Sequence, residues 1–131
     1  MFKNKKQPPI KSLIAESSQI EGNYRFVDGL RIDGHVQGDV VANPDQPSIL
    51  VISETATVTG HIHADHVIIT GLVTGPVHAR LMLELQPKAR INGDVHYIAL
   101  EMHQGAIIDG KLHPIGLAED KPALKLAANN Q

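Results

Sequence analysis

The chain has 131 residues, enough for one domain with a modest hydrophobic core. It contains no cysteine, which excludes disulfides and thiolate metal sites, and a net charge of -2 with 3% aromatic residues argues against nucleic-acid binding. The interior therefore has to be built from Val, Ile, Leu and Ala, and 11 glycines with 8 prolines favour many short strands over long helices.

The amino-terminal segment differs in charge from the rest of the chain. Every charged residue among residues 1–11 is a lysine, whereas acidic residues outnumber basic ones in residues 12–115. The segment lacks the apolar stretch of a secretory signal, and no apolar run approaches the roughly 18 residues of a spanning helix. We therefore expect a cytoplasmic protein in which residues 1–15 form a disordered basic tail.

This tail is predicted to bind the inner face of the cytoplasmic membrane. A lysine near an anionic leaflet contributes about 1 kcal/mol, and burial of an aromatic side chain adds about 1.5 to 3 kcal/mol. Such a tail binds weakly alone and firmly when many copies are displayed together. The predicted membrane-binding residues are Met1, Phe2, Lys3, Lys5 and Lys6.

A five-residue pattern, apolar-x-Gly-x-apolar, occurs six times between residues 20 and 112. Its glycines are Gly22, Gly38, Gly60, Gly75, Gly93 and Gly110. A second apolar stretch lies between consecutive copies, and alternation with period two places the apolar residues on one inward face. The sequence therefore predicts an all-β, single-domain parallel β-helix of about six turns over residues 16–115, with a disordered tail over residues 116–131.

Four histidines follow a repeat glycine by three residues, in four consecutive turns. They are His63, His78, His96 and His113. The alternation points them outward, so they are predicted to form a surface column. The cluster GHIHADHV at residues 60–67 is then one member of this column, with His61 on the same face and His66 past a corner. A column on an open face converges poorly on one ion, so we predict no metal site, cofactor or catalytic residue. Stacked imidazoles can also titrate cooperatively, because close like charges disfavour the protonated form.

Two features interrupt the repeat. Pro76 has no N–H group, so we expect one hydrogen bond between turns to be missing there. Residues 42–48 lengthen one corner and form a candidate partner-binding loop. The near match to a phosphate-binding loop at residues 105–112 is already explained by the sixth turn, so no nucleotide site is predicted.

The two ends of a β-helix expose unpaired backbone and an apolar cross-section, and no capping segment is evident here. We therefore expect association end to end, which produces a filament if both ends take part. The predicted contact residues are Ile14, Ile20, Tyr24 and Phe26 at one end and Ile107, Ile108, Leu112 and Ile115 at the other.

The chain resembles the bactofilins over about residues 16–115. The resemblance is carried by IEGNYRF at 20–26, GLRIDGHVQGDV at 29–40, ATVTGHI at 56–62 and ARINGDV at 89–95, and the start MFKNKK resembles their membrane-targeting tails. It implies a right-handed, three-sided β-helix that polymerises without nucleotide into nonpolar filaments. It also implies association with the inner face of the cytoplasmic membrane and partnership with cell-wall enzymes or other morphogenetic proteins.

Two other functions stay open at this level. The first is a trimeric left-handed β-helix enzyme, such as an acyltransferase or carbonic anhydrase, using His61, His63, His66 or His78 on a metal or as a general base. The irregular repeat length, between 15 and 22 residues, argues against the regular six-residue coils of that class. The second is a monomeric adaptor or glycan-binding module, which would need capped ends.

Overall fold

The computed structural model describes residues 7–115, which form fifteen strands with parallel pairing throughout. The strands are β1 (Ile10–Ile14), β2 (Gln19–Glu21), β3 (Tyr24–Phe26), β4 (Asp28–Ile32), β5 (His35–Gln37), β6 (Val40–Ala42), β7 (Ser48–Ile52), β8 (Thr57–Thr59), β9 (Ile62–Ile69), β10 (Leu72–Thr74), β11 (Val77–Leu85), β12 (Arg90–Asn92), β13 (Val95–Met102), β14 (Ile107–Asp109) and β15 (Leu112–Pro114).

The strands lie on three faces of a solenoid. The first face is a six-stranded sheet made of β2, β5, β8, β10, β12 and β14. The second face contains β3, β6, β15 and the first halves of β9, β11 and β13. The third face contains β1, β4, β7 and the second halves of β9, β11 and β13. Each turn places one strand on each face, and six turns stack. The predicted all-β parallel β-helix is confirmed.

The core consists of aliphatic side chains aligned from turn to turn. On the third face one inward stack contains Ile14, Ile32, Ile52, Ile69 and Leu85. All five are buried. The low aromatic content is compatible with this core because a parallel stack of similar branched side chains fills the narrow interior without large rings.

The structure corrects the expectation for Pro76. At the position after the repeat glycine, the backbone N–H donates to a side chain of the preceding turn. Three such bonds are Asp39 N–H to Asn23 Oδ1, His61 N–H to Asp39 Oδ1 and Lys111 N–H to Asp94 Oδ1, each 2.9 Å. Pro76 occupies this position, so its missing N–H removes no backbone bond between turns, and its carbonyl accepts the Ile62 N–H at 3.0 Å.

The predicted boundary of the tail at residue 15 is also wrong for residues 10–14. These residues form β1, which pairs with β4, and Ile14 completes the inward stack of the third face. No repeat glycine marks this strand, so its sequence gave no periodic signal. The solenoid therefore begins at Ile10, and residues 1–6 and 116–131, with the predicted tail sites, lie outside the described residues.

Candidate assembly surfaces and histidine column

The carboxyl-terminal end of the solenoid exposes the end of the core. Leu112 is 46% exposed and Met102 44%, whereas their partners in the fifth turn, Val95 and Leu85, are fully buried. The difference arises because no described strand covers the sixth turn. We call this surface the C-terminal end face. Its apolar residues are Met102, Ile107, Ile108, Leu112 and Ile115.

Met102 was not among the predicted contact residues. Its place at the end of the alternating run Ile98, Leu100, Met102 was the available signal. Ile107 points outward at the rim of this end, and Ile108 packs partly against the core.

The amino-terminal end exposes less of its core. Ile14 and Phe26 are buried, at 5% and 6% exposure, while Ile20 and Tyr24 are partly buried and pack against the core. In the single chain, Ile14 and Phe26 are therefore core residues and do not form a free surface. Of the predicted contacts at this end, Ile20 and Tyr24 retain exposed area.

The four histidines of the column stack face to face. The ring centroids of His63 and His78 lie 4.5 Å apart, those of His78 and His96 4.2 Å, and those of His96 and His113 4.5 Å, with planes within 10° of parallel. The strand pairing aligns the same four residues, and Val41 continues the column below His63.

Two neighbouring rings of the column, His63 at its first position and His78 at its second, favour the neutral imidazole. Desolvation lowers the pKa of His63, and the nearby His61 lowers it further, while Asp39 acts in the opposite direction. Desolvation, followed by the charges of His63 and His96, lowers the pKa of His78. The Nδ1 atom of His78 is also buried without a hydrogen-bond partner. A protonated ring would have to leave that N–H unsatisfied.

The end of the column has an acidic partner. His113 Nε2 lies 3.2 Å from Asp94 Oδ2. The backbone N–H of Lys111, followed by His113, lowers the pKa of Asp94. The last ring of the column therefore has a carboxylate within hydrogen-bond distance, whereas no carboxylate is among the groups that shift the pKa of His78.

The column does not converge on a metal ion, because the in-plane lone pairs of the stacked rings lie in separate, nearly parallel planes. His61 is tilted by 55° and its centroid lies 6.0 Å from that of His63. Within residues 7–115, the group whose potential ligand atoms all lie within 4.8 Å of one another is Glu84, Glu101 and His103, on the third face. Sequence reasoning did not find this group. The spacing of Glu84 and Glu101 by one turn was its signal, since the two residues are paired.

The long corner is anchored by a polar network beside a groove. Asp65 accepts the Ser48 N–H at 3.2 Å and binds Arg80 Nε at 2.6 Å, while Ser48 Oγ accepts the Asp65 N–H at 3.0 Å. The groove has a volume of about 710 Å³ and lies between this corner, residues 7–8 and Leu81–Met82. His66 lies on its wall rather than in the histidine column.

A comparison with protein families matches residues 12–113 to the family described as "Bactofilin: Polymer-forming cytoskeletal". The chain belongs to the bactofilin family. No curated protein and no solved structure matches the chain. The description of the family as polymer-forming implies that the chain associates with itself. Among residues 7–115 of this bactofilin, no helix is long and apolar enough to cross a bilayer.

We expect acid to destabilise this bactofilin through His63 and His78 of its histidine column. Because the pKa values of His63 and His78 are lowered by folding, the unfolded chain binds protons first as the pH falls. The part of the unfolding free energy that depends on neutral imidazoles is fully present above the unfolded-state pKa of about 6.5. It is lost as the pH falls below that value and through the lower pKa values of the folded state. Denaturant unfolding at about pH 7.5 and about pH 5 measures this loss.

A variant pair separates the column from general acid effects. His63→Asn with His78→Asn should lose less stability on acidification than the unmodified protein. His103→Asn, which changes a histidine on the third face, should respond as the unmodified protein does. Equal acid sensitivity in all three proteins would show that the column does not govern the response.

Proposed function

We propose that this bactofilin polymerises end to end, without nucleotide, into nonpolar filaments at the inner face of the cytoplasmic membrane. There the filaments organise cell-wall or cell-shape machinery. The role is structural and involves no catalysis, cofactor or nucleic acid. The observation that carries the proposal is the C-terminal end face, where Leu112 and Met102 are nearly half exposed at positions that are fully buried one turn earlier.

The end face supports assembly in two ways. Covering an apolar side chain contributes about 1.5 to 3 kcal/mol, and Leu112 and Met102 at this end are 46% and 44% exposed. The strands β14 and β15 also have no hydrogen-bonded neighbour on their outer side among the described residues. A second copy that docks here can therefore add strand pairs as well as apolar contact, which together offset the entropy lost on association.

Membrane association is proposed from the composition of the tail. Phe2 is apolar, and Lys3, Lys5 and Lys6 supply positive charge next to an acidic solenoid. One tail binds reversibly, but a filament displays many tails, and their combined effective concentration converts weak contacts into stable attachment. The attachment is therefore expected to depend on polymerisation.

Pelleting and vesicle flotation test the two parts of the proposal separately. We expect the protein to pellet at high speed with chelator present and nucleotide absent, and to float with anionic vesicles. Phe2→Glu should still pellet but should no longer float. A protein that pellets only with nucleotide or metal would contradict the assembly mechanism, and flotation of Phe2→Glu equal to that of the unmodified protein would remove the tail from the account.

A further inference from the structure

The described chain begins on the side of the solenoid rather than at its end. The Nε2 atom of Gln7 donates to Nδ1 of His66 at 2.8 Å, although Gln7 precedes the first turn and His66 belongs to the fourth. Two residues later, Pro9 lies against Gly29 of the second turn, where a Cβ added to the glycine would come within 2.5 Å of the Pro9 carbonyl oxygen. Residues 7–9 therefore form a strap that runs along the outside of the solenoid.

The strap ends beside a row of exposed aliphatic side chains. Val27 is 45% exposed, Leu81 57% and Ile98 42%. Each lies where its turn passes from the second face to the third, so the three occupy one corner of the solenoid. Leu81 and Ile98 belong to consecutive turns, whereas Val27 lies three turns before Leu81. We call this row the corner ridge. Leu81 and Gln7 line the same groove, which places the start of the described chain next to the ridge.

We propose that the corner ridge is the side of the filament that lies against an anionic lipid surface. The inference rests on the proposed membrane association and adds its orientation. Phe2 and the three tail lysines lie within five residues of Gln7, and five extended residues reach at most about 18 Å. Because Phe2 and the three tail lysines are tethered at this corner, a bilayer that they engage has to lie close to the ridge.

The charges near the ridge are compatible with this orientation. Asp65 is paired with Arg80 at 2.6 Å, and Asp28 is paired with Lys11 at 2.8 Å. These ion pairs reduce the repulsion between two acidic side chains of the corner and anionic headgroups. Asp45, on the long corner, remains exposed. The ridge therefore contributes apolar contact, while the tail supplies the positive charge.

Vesicle flotation of charge variants tests the orientation. Leu81→Glu combined with Ile98→Glu should reduce the floating fraction at limiting lipid at least about tenfold, because two apolar contacts are lost and two negative charges face the headgroups. The control combines Gln37→Glu with Thr74→Glu, which adds the same charge on the exposed first face. The control should float as the unmodified protein does, and filaments should form in both variants.

The outcomes separate this inference from the proposed function. If Leu81→Glu with Ile98→Glu floats normally while Phe2→Glu does not, the tail binds membrane and the ridge does not face it. If the unmodified protein fails to float, membrane association and the orientation are both wrong. Equal losses of the floating fraction in the ridge variant and its control would also overturn the orientation, because added negative charge on any side of the solenoid would then weaken membrane binding.

A second measurement does not depend on how the ridge tolerates charge. The chain contains no cysteine, so Leu81→Cys can be labelled at one site with a polarity-sensitive fluorophore. Anionic vesicles should shift its emission to the blue, while the same label on Gln37→Cys should not respond. An unshifted label at position 81 on floating filaments would contradict the proposal.

Discussion

Leu112→Asp should leave the solenoid folded and should abolish long filaments. Leu112 is 46% exposed in the single chain, so a carboxylate there remains hydrated in the monomer. Docking of a second copy on the C-terminal end face would bury this charge without a partner, which costs several kcal/mol. We expect the concentration needed for assembly to rise at least about a hundredfold, measured by pelleting over a concentration series.

The size of the remaining species reports the polarity of the filament. If like ends meet, blocking one end leaves dimers joined through the other end, whereas a head-to-tail filament leaves monomers. Analytical ultracentrifugation distinguishes these products. Thr74→Asp adds the same charge on the side of the solenoid and should polymerise normally. Persistent filaments of Leu112→Asp would place the contact elsewhere.

Gly60→Ala should destabilise the fold far more than Gly22→Ala. Both glycines have positive φ, at 150° and 124°, so either substitution introduces backbone strain. An added Cβ at Gly60 would also lie 2.2 Å from the carbonyl oxygen of Gly38 in the preceding turn, whereas nothing lies within 4 Å at Gly22. The pair therefore isolates the close approach of consecutive turns from the conformational preference of glycine.

We expect Gly22→Ala to lower the free energy of unfolding by about 1 to 3 kcal/mol and Gly60→Ala to exceed that loss by about 2 kcal/mol or more. Denaturant unfolding followed by circular dichroism measures both changes. Equal losses of unfolding free energy in the two variants would mean that consecutive turns can move apart at the repeat glycines, so that their close packing is not required.

The turn repeat and the histidine column were predictable because both follow from spacing. An inward residue at every second position and a glycine every 15 to 22 residues specify which side chains lie above one another. The alignment of His63, His78, His96 and His113 needs only that register.

The remaining features depend on contacts that a periodic pattern does not encode. β1 lacks the repeat glycine, and the strap from Gln7 to His66 joins residues 59 positions apart. Pro76 is tolerated because the backbone N–H at the position after the repeat glycine donates to a side chain and not to the backbone. The acceptors, which are Asn23, Asp39 and Asp94, are identified only from the three-dimensional structure. The burial of Ile14 and Phe26 in the first turn likewise depends on packing that the repeat pattern does not specify.

Negative-stain electron microscopy of the purified protein, with chelator present and no nucleotide added, tests the central claim most directly. End-to-end assembly through uncovered core predicts long, thin filaments that form spontaneously. Discrete closed particles such as trimers, or monomers at every concentration, would contradict the account, because an exposed end face would then have no role in polymerisation.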